Sequence, residues 1–400
     1  MTEQIGAALR LLYPDGRAIT PDSATDDFSL KSLCEDNVYS LTLTPRRAGL
    51  ALAAVEYDIP LPHDLTDVPE ELYIYDDSAY TNDFTSVVPY VGNEARTVYN
   101  LAVFKNLRTR KVFLCGLLTA HRFLAMFNLH DGLVTLRFDL EERELHAGEA
   151  YLLERFMVAE GTDNENVLLE AYGDAVAACN GARPDKPLPV GWCSWSCYYG
   201  NVNEEKIRRA ADGQATYTRA GESNLIQIDD GWQRCGSFCG KWVPDDTKFP
   251  SGLEATGQYV RDRGMTFGLW LAPWLLDDKS DYYGELKHLA REEATLGEHY
   301  HPFELGDPRY LAHLSATFRE MTERYGARYF KLDFLAAAIR FFNGRGDFIR
   351  FRDGFRMEVL RGALQTIRDS VGPDAFLLLC GAPTLIGAGI TDGSRTSADI

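Results

Sequence analysis

Lys331 and Asp333 lie at the end of an apolar, β-forming stretch, Tyr329-Phe330-Lys331-Leu332-Asp333-Phe334. Residues two apart on a strand point to the same face, so the two side chains are expected to project together. An ammonium group beside a carboxylate favours the ionised form that a carboxylate nucleophile requires. The alternative is a structural salt bridge at a strand end, because ion pairs also occur in networks that have no catalytic role.

Other polar and aromatic residues occupy equivalent places. Candidate strands are 190–195, 224–229, 266–271, 329–334, 375–380 and 395–400, and at their ends stand Trp195, Asp229, Asp230, Trp270, Asp333, Cys380 and Asp399. Repeated βα units predict parallel strands, and a (β/α)8 TIM barrel carries its active site at the carboxyl ends of such strands. An open Rossmann-type sheet is the alternative, but no G-x-G-x-x-G sequence follows a strand.

Two carboxyl groups facing each other across a barrel mouth would suit glycoside hydrolysis by double displacement. That mechanism places the carboxyl groups about 5–5.5 Å apart, where one attacks the anomeric carbon and the other protonates the leaving oxygen. Asp333 ends the fourth candidate strand and Asp399 ends the sixth. The negative charge of Asp333 would favour the protonated form of Asp399, and therefore the acid role for Asp399.

The segment Asp229-Asp230-Gly231-Trp232 adds adjacent carboxylates and an aromatic ring at another strand end. The carboxylates can accept hydrogen bonds from sugar hydroxyls, and an indole face can stack on the C–H side of a sugar. A metal site is the alternative for the two aspartates, although no histidine-rich set accompanies them.

The elements that precede this pattern are of a different kind. All six tryptophans lie between residues 192 and 274, and alternating apolar runs at 38–43, 72–75, 98–103 and 134–138 predict short antiparallel strands. We predict an N-terminal antiparallel β-sandwich at 1–162, a linker region at 163–188 and a catalytic barrel at 189–400. Helical spacing places the linker helix at 164–179, before three prolines that close the boundary.

The strand count predicts an incomplete barrel. Six βα strands are recognised and the sixth ends at Ile400, whereas closure requires eight. We therefore expect residues 1–400 to be the N-terminal part of a longer polypeptide. Expressed alone, these residues are expected to be poorly soluble and inactive, because parallel edges stay unpaired.

The charge composition of the chain bears on which kinds of molecule it can bind. The 400 residues carry a formal net charge of −18, which argues against binding to nucleic acid or to anionic membrane surfaces. No apolar run approaches the ~18 residues of a membrane span, and the first six residues lack a signal-peptide pattern. A cytoplasmic location is therefore expected.

The eight cysteines are scattered, which fits a reducing compartment. Two C-x3-C pairs, Cys193 with Cys197 and Cys235 with Cys239, could supply four thiolates to a zinc ion. Both pairs follow predicted strands among aromatic residues rather than tight knuckle turns, so buried free thiols are the preferred interpretation.

Together these motifs resemble those of the α-galactosidases of glycoside hydrolase family 36, with a more distant similarity to family 27 of the same clan. The matching segments follow the family's order: Gly191-Trp192-Cys193-Ser194-Trp195, Ile228-Asp229-Asp230-Gly231-Trp232, Lys248-Phe249-Pro250-Ser251-Gly252-Leu253, Phe267-Gly268-Leu269-Trp270, Tyr329-Phe330-Lys331-Leu332-Asp333, Leu379-Cys380-Gly381-Ala382-Pro383 and Arg395-Thr396-Ser397-Ala398-Asp399-Ile400. The N-terminal β-region also fits the family's large β-sandwich.

The resemblance implies a role for each matching residue. It makes Asp333 the nucleophile and Asp399 the acid/base. It implies hydrogen bonds to the sugar's hydroxyls from Asp229 and Asp230 (4- and 6-positions), Lys331 (3- and 4-positions) and Arg395 (2-position), and a pocket lined by Trp195, Trp270 and Cys380. Gly381 stands where some relatives carry an acidic residue, so the group accepted at the sugar's 2-position is left open.

The implied function is retaining hydrolysis of small α-galactosides of the melibiose or raffinose type, with no cofactor and no metal. The implied partner is the α-galactoside itself, and homo-oligomer formation is left open. Two alternatives share the chemistry: a raffinose-synthase-like galactosyl transglycosylase and an α-N-acetylgalactosaminidase. An alternative of another class is an inactive carbohydrate-binding homologue, against which the presence of both Asp333 and Asp399 argues.

Overall fold

The computed structural model describes residues 9–20, 26–76, 86–90, 95–182, 186–219, 222–294, 297–338 and 349–395. They form two compact units. The first contains the described residues up to Ala182 together with Phe355–Glu358, and the second contains the rest of the described chain. The predicted domain limits of 1–162, 163–188 and 189–400 stay a prediction.

Antiparallel strands build the first unit. They are β1 (Leu9–Leu12), β2 (Ala18–Ile19), β3 (Phe28–Glu35), β4 (Val38–Pro45), β5 (Leu50–Ala51), β6 (Ala54–Pro60), β7 (Leu72–Asp76), β8 (Ser86–Pro89), β9 (Arg96–Val98), β10 (Leu101–Asn106), β11 (Lys111–Leu117), β12 (Leu124–His130), β13 (Leu133–Asp139), β14 (Glu144–Leu145), β15 (Tyr151–Leu152) and β16 (Phe156–Thr162). The helices are α1 (His63–Thr66) and α2 (Glu165–Asn180).

Two of the sheets in this unit are large. One has the strand order β2-β1-β6-β13-β12-β9, and the other has the order β15-β4-β16-β11-β10-β7-β8, with β3 paired to β4. Phe156 of the second sheet lies 6.3 Å from Phe138 and 5.7 Å from Tyr57 of the first sheet, measured between ring centroids. The sheets therefore pack face to face, as the alternating apolar runs predicted.

The apolar run at 98–103, predicted as one strand, belongs to two. β9 ends at Val98 and pairs with β12, whereas β10 begins at Leu101 and pairs with β11 in the other sheet. The chain crosses between sheets at residues 99–100. No glycine or proline marks this crossing, so the sequence pattern does not reveal it.

Helix α2 covers the outer face of the eight-stranded sheet. Leu168, Tyr172 and Val176 recur at helical spacing and pack against buried residues of β10 and β11. The Tyr172 hydroxyl donates to the Leu117 carbonyl at 2.6 Å. Asn164 caps the helix, as its side chain accepts from the Asn166 N–H. The helix predicted at 164–179 is thus present and docked on this sheet.

Parallel strands and helices build the second unit. They are β17 (Gly191–Cys193), α3 (Trp195–Tyr198), α4 (Glu204–Tyr217), β18 (Leu225–Ile228), α5 (Leu253–Arg261), β19 (Thr266–Leu271), β20 (Leu275–Asp277), α6 (Tyr283–Leu286), β21 (Tyr300–Pro302), α7 (Pro308–Glu323), β22 (Tyr329–Leu332), α8 (Arg356–Val371, in this unit from Val359 onward), β23 (Phe376–Leu379) and β24 (Gly393–Ser394). β20 and β21 form a separate antiparallel pair, which was not predicted.

The parallel sheet has the order β17-β18-β19-β22-β23-β24, which is the order of the strands along the chain. This confirms the prediction of consecutive βα units with parallel strands. Local signals start the helices: Asn203 caps α4 through a bond from the Lys206 N–H, and Asp307 caps α7, with Pro308 at its first position.

The first and last parallel strands differ from the prediction. The first strand ends at Cys193 rather than at residue 195, and Trp195 begins the short helix α3. The sixth strand pairs through Gly393 and Ser394. Of the predicted strand 395–400, residues 396–400 lie outside the described residues.

In the described part of the chain, no helix is both long enough and apolar enough to cross a membrane.

Gly231 follows the paired aspartates at a tight approach between two loops. Its φ is +108°, and a β-carbon there would lie 2.5 Å from the Gly200 carbonyl oxygen. The Lys248 ammonium joins the two loops by donating to the carbonyls of Gly231 at 2.6 Å and Gly200 at 3.1 Å. The position therefore requires glycine both for its backbone conformation and for space.

Gly231→Ala is expected to destabilise the second unit by about 2–4 kcal/mol, because it adds backbone strain to an overlap with rigid backbone. All six tryptophans lie in this unit, so its unfolding can be followed by tryptophan fluorescence during a denaturant titration. The control is Gly213→Ala within α4, where a β-carbon meets nothing within 4 Å. Helix propensity predicts a gain of up to about 1 kcal/mol there. Equal midpoints for Gly231→Ala and wild type would contradict the argument.

Candidate active site

The carboxyl ends of neighbouring parallel strands bring the predicted residues to one edge of the sheet. Asp229 follows β18, Trp270 lies in β19, Asp333 follows β22, and Cys380 follows β23. Parallel strands end at a common edge, and there side chains from separate βα units can meet. The contacts below show that these four residues, together with Lys331, form one connected cluster.

Asp333 is held from two directions. The Trp270 indole N–H donates to Asp333 Oδ2 at 2.9 Å, and the Phe334 backbone N–H donates to Oδ1 at 2.8 Å. The residue is 7% exposed. Phe334 adopts a φ of +55°, a conformation that non-glycine residues rarely adopt and that is often found at functional sites. The carboxylate thus has a fixed orientation at the strand end.

Lys331 bridges the two buried carboxylates. Its ammonium donates to Asp229 Oδ2 at 3.0 Å and lies 3.8 Å from Asp333 Oδ2. The sequence predicted its pairing with Asp333, but the direct hydrogen bond goes to Asp229. Burial acts to lower the pKa of Lys331, but the charges of Asp229 and Asp333 outweigh this effect, so the pKa is raised. The lysine therefore stays charged between its two partners.

Asp229 is 2% exposed and is held mainly through one oxygen. Besides Lys331, Oδ2 accepts from the Gln227 side-chain amide at 2.7 Å and from the Cys193 thiol at 3.4 Å. Oδ1 accepts from the Asp230 backbone N–H at 2.9 Å. Burial raises the pKa of the Cys193 thiol to about 12, and the neighbouring Asp229 contributes to this rise. Cys193 is therefore a protonated donor.

Asp230 is partly buried and is fixed by the loop that follows it. The Gln233 side-chain amide donates to Oδ1 at 2.6 Å, and the Ser237 hydroxyl donates to Oδ2. Sequence reasoning missed Gln227, Gln233 and Ser237. Gln227 had a usable signal, since it lies two residues before Asp229 on the same strand face. The other two lie in an irregular loop and have no such periodic signal.

The aromatic residues take different positions. Trp270 is 1% exposed and, besides donating to Asp333, accepts a bond at its carbonyl from the Trp232 indole N–H at 3.0 Å. Trp195 is partly buried and packs edge-on against Tyr199, with ring centroids 5.2 Å apart. Trp270 thus supports the carboxylate directly, and a role for either indole face in stacking on a sugar stays a prediction.

Cys380 and Arg395 directly follow the last two strands of the sheet. Burial raises the pKa of the Cys380 thiol, and Asp333, which accepts its hydrogen bond, raises it further; Lys331 and Arg395 act in the opposite direction. Arg395 follows β24, and its backbone N–H donates to the Leu379 carbonyl at 2.9 Å. Asp399, the predicted acid/base, lies outside the described residues.

The second cysteine pair lies in the loop that holds Asp230. A hydrogen bond from Cys239 lowers the pKa of the Cys235 thiol, whereas burial raises the pKa of Cys239. Cys193 instead bonds to Asp229. Within the residues that the structure describes, no group of three or more histidine, cysteine, aspartate or glutamate side chains could hold a metal ion.

The carboxyl edge of the parallel βα sheet thus carries two buried carboxylates joined by a lysine, and this is the edge at which enzymes with such sheets place their active sites. The Melibiase family model matches residues 172–334. The resemblance to the α-galactosidases of glycoside hydrolase family 36 is confirmed over part of the chain.

The similar curated proteins match over part of their length. α-Galactosidase AgaA of Geobacillus stearothermophilus is 28% identical over 145 residues, which are 35% of this chain and 19% of the relative. An α-galactosidase of Escherichia coli is 32% identical over 105 residues, which are 25% of this chain and 14% of the relative. The matched segments thus span a fifth or less of these two relatives.

Solved structures match more of the chain. The family 36 α-galactosidase AgaA of Geobacillus stearothermophilus has a TM-score of 0.72 at 15% identity, with 98% of this chain and 64% of that chain covered. An α-galactosidase of Thermus thermophilus, in complex with p-nitrophenyl α-D-galactopyranoside, has a TM-score of 0.64 at 21% identity, with 92% of this chain and 74% of that chain covered. At such identities the likeness shows the fold.

Proposed function

We propose that the protein is a retaining α-galactosidase that releases terminal α-D-galactosyl residues from small α-galactosides. The observation that carries this proposal is the geometry of Asp333. Its carboxylate is oriented by the Trp270 indole and the Phe334 backbone N–H, with the Lys331 ammonium 3.8 Å away. A fixed carboxylate beside a charged lysine is suited to attack an anomeric carbon.

In this proposal Asp333 forms a covalent galactosyl intermediate, and Asp399 protonates the leaving oxygen and then activates the water. Asp229, Asp230 and Lys331 hold the sugar through its hydroxyls, and Arg395 lies near the 2-hydroxyl. The connected charges of Lys331 and Asp229 support these roles, because a buried ion pair presents fixed donors and acceptors without rearrangement.

The choice of substrate rests on the relatives. A solved α-galactosidase of Thermus thermophilus was crystallised with stachyose, and one of Geobacillus stearothermophilus with raffinose. We infer that this protein accepts oligosaccharides of the same kind. We also infer that its six consecutive parallel strands belong to a (β/α)8 barrel, as the strand order and the likeness in fold suggest.

The test is a panel of 4-nitrophenyl glycosides supplied to the full-length protein. We expect hydrolysis of the α-D-galactoside at least 100-fold faster than of the β-D-galactoside or α-D-glucoside, because the carboxylates are positioned for one configuration. Proton NMR of the reaction should show α-galactose as the first product, since two displacements retain configuration. First release of β-galactose would contradict the retaining mechanism, and absence of hydrolysis would contradict the function.

A further inference from the structure

Gln233 and Ser237 hold the two oxygens of Asp230 separately. The Gln233 amide donates to Oδ1 at 2.6 Å, and the Ser237 hydroxyl donates to Oδ2. Gln233 is itself fixed, because it is 3% exposed and its Oε1 accepts from the Gly231 backbone N–H at 3.1 Å. Two donors on different oxygens fix the rotation of a carboxylate, whereas one donor leaves it free to turn.

Asp230 and its neighbour Asp229 differ in their capacity for a ligand. Among the described residues, Asp229 accepts bonds from Gln227, Lys331 and Cys193 at one oxygen and from a backbone N–H at the other. Asp230 accepts one side-chain bond at each oxygen and is less buried. A carboxylate offers about four lone-pair sites. Asp230 therefore has more room than Asp229 to accept from a sugar hydroxyl.

The same loop also contacts the residue beside Asp333. Phe238 follows Ser237, and its ring packs edge-on against Phe334 with centroids 5.0 Å apart. The Phe238 carbonyl accepts from the Asp277 backbone N–H at 2.7 Å. The segment 233–238 thus fixes Asp230 at one point and packs on the neighbour of Asp333 at another. The distance between a bound hydroxyl and the reacting carbon would then be set by this segment.

We propose that Gln233 and Ser237 are positioning residues that orient Asp230 toward a sugar hydroxyl and thereby determine selectivity for galactose. This inference rests on the proposed function. The ligand class is a galactose-configured sugar whose 4- or 6-hydroxyl donates to Asp230. Loss of either positioning residue lets the carboxylate turn, so the hydroxyl bond weakens while contacts elsewhere on the sugar persist.

The experiment combines variants of the protein with deletions on the sugar. Gln233→Leu, Ser237→Ala and Ser237→Thr are compared with wild type in full-length protein. The dissociation constants of galactose, 4-deoxygalactose and 6-deoxygalactose are measured by calorimetry. KM and kcat are measured with 4-nitrophenyl α-D-galactoside. The matched control is Gln258→Leu, because the Gln258 amide donates to Asp262 Oδ1 at the same 2.6 Å on an exposed helix surface.

We expect Gln233→Leu and Ser237→Ala each to weaken galactose binding by about tenfold, as for a hydrogen bond to a charged group. For at least one of the two deoxy sugars, the same variants should weaken binding by less than threefold, because that sugar lacks the hydroxyl that donates to Asp230. KM should rise more than kcat falls. Ser237→Thr, which keeps the hydroxyl, should bind galactose within threefold of wild type, and Gln258→Leu should not change binding.

Equal proportional losses for galactose and both deoxy sugars would overturn the inference, since that is the result of a general structural role. If wild type binds galactose and both variants bind it with the same affinity, this inference is overturned while the proposed function stands. Wild type that fails to bind galactose would overturn the proposed function and this inference together. If Gln233→Leu does not fold, Ser237→Ala still decides, because it removes a single oxygen atom.

Discussion

Replacing Asp333 with alanine is expected to lower the turnover of 4-nitrophenyl α-D-galactoside by on the order of 10³-fold or more, because the covalent step loses its nucleophile. The space left by the carboxylate lies between the Trp270 indole and the Phe334 N–H, both of which are hydrogen-bond donors. A small anion can enter such a site. Added azide should therefore restore product formation and give β-galactosyl azide, which mass spectrometry and NMR can identify.

The control for this variant is Asp392→Ala. The Asp392 side chain is 12% exposed, close to the 10% of Asp333, and it pairs with Lys186 and Arg368. Its loss should lower stability, because two partly buried cations lose a partner. The turnover of the folded protein should stay within a few-fold of wild type. Wild-type rates in Asp333→Ala, or azide rescue of an Asp392 variant, would remove Asp333 from the nucleophile role.

The regular elements could be predicted because their signals are local. In β4, Leu41 and Leu43 are buried on one face, as the alternating run at 38–43 indicated. Asn203 and Asp307 cap their helices through side-chain bonds, as their residue types predicted.

The prediction that placed Trp195 on a strand was wrong, since this residue begins helix α3. A short apolar run leaves helix and strand indistinguishable, and the turn at Ser194 has no proline or glycine to mark it.

The site was predicted in part, because its acidic residues stand at strand ends while their partners lie far along the chain. Asp229 and Lys331 are 102 positions apart, and β18 and β22 are separated in the sheet by β19. In a curled parallel sheet, residues from alternate strands share a layer of the interior. That curvature brings Lys331 to Asp229. The sequence pattern gave only the pairing within one strand, between Lys331 and Asp333.

Lys331→Met is expected to destabilise the second unit by about 3–5 kcal/mol, because it leaves Asp229 and Asp333 as buried charges with no cation between them. The raised pKa of Lys331 determines the pH range over which the charged lysine stabilises the fold. The stabilisation is fully present below the pKa of an unfolded lysine, near 10.4, and is lost as the pH rises through the higher folded value.

The deficit in free energy of unfolding should therefore persist up to about pH 10 and shrink at higher pH, where the wild-type lysine also loses its charge. Urea titrations followed by tryptophan fluorescence measure it, since all six tryptophans report on this unit. The control is Lys241→Met, whose ammonium pairs with Glu285 at 2.9 Å on the surface, where such a pair contributes about 0–1 kcal/mol. A deficit equal to that of Lys241→Met, or one independent of pH, would mean that water already screens Asp229 and Asp333. The low exposure of both carboxylates argues against that outcome, because a charge shielded from water depends on its protein partners.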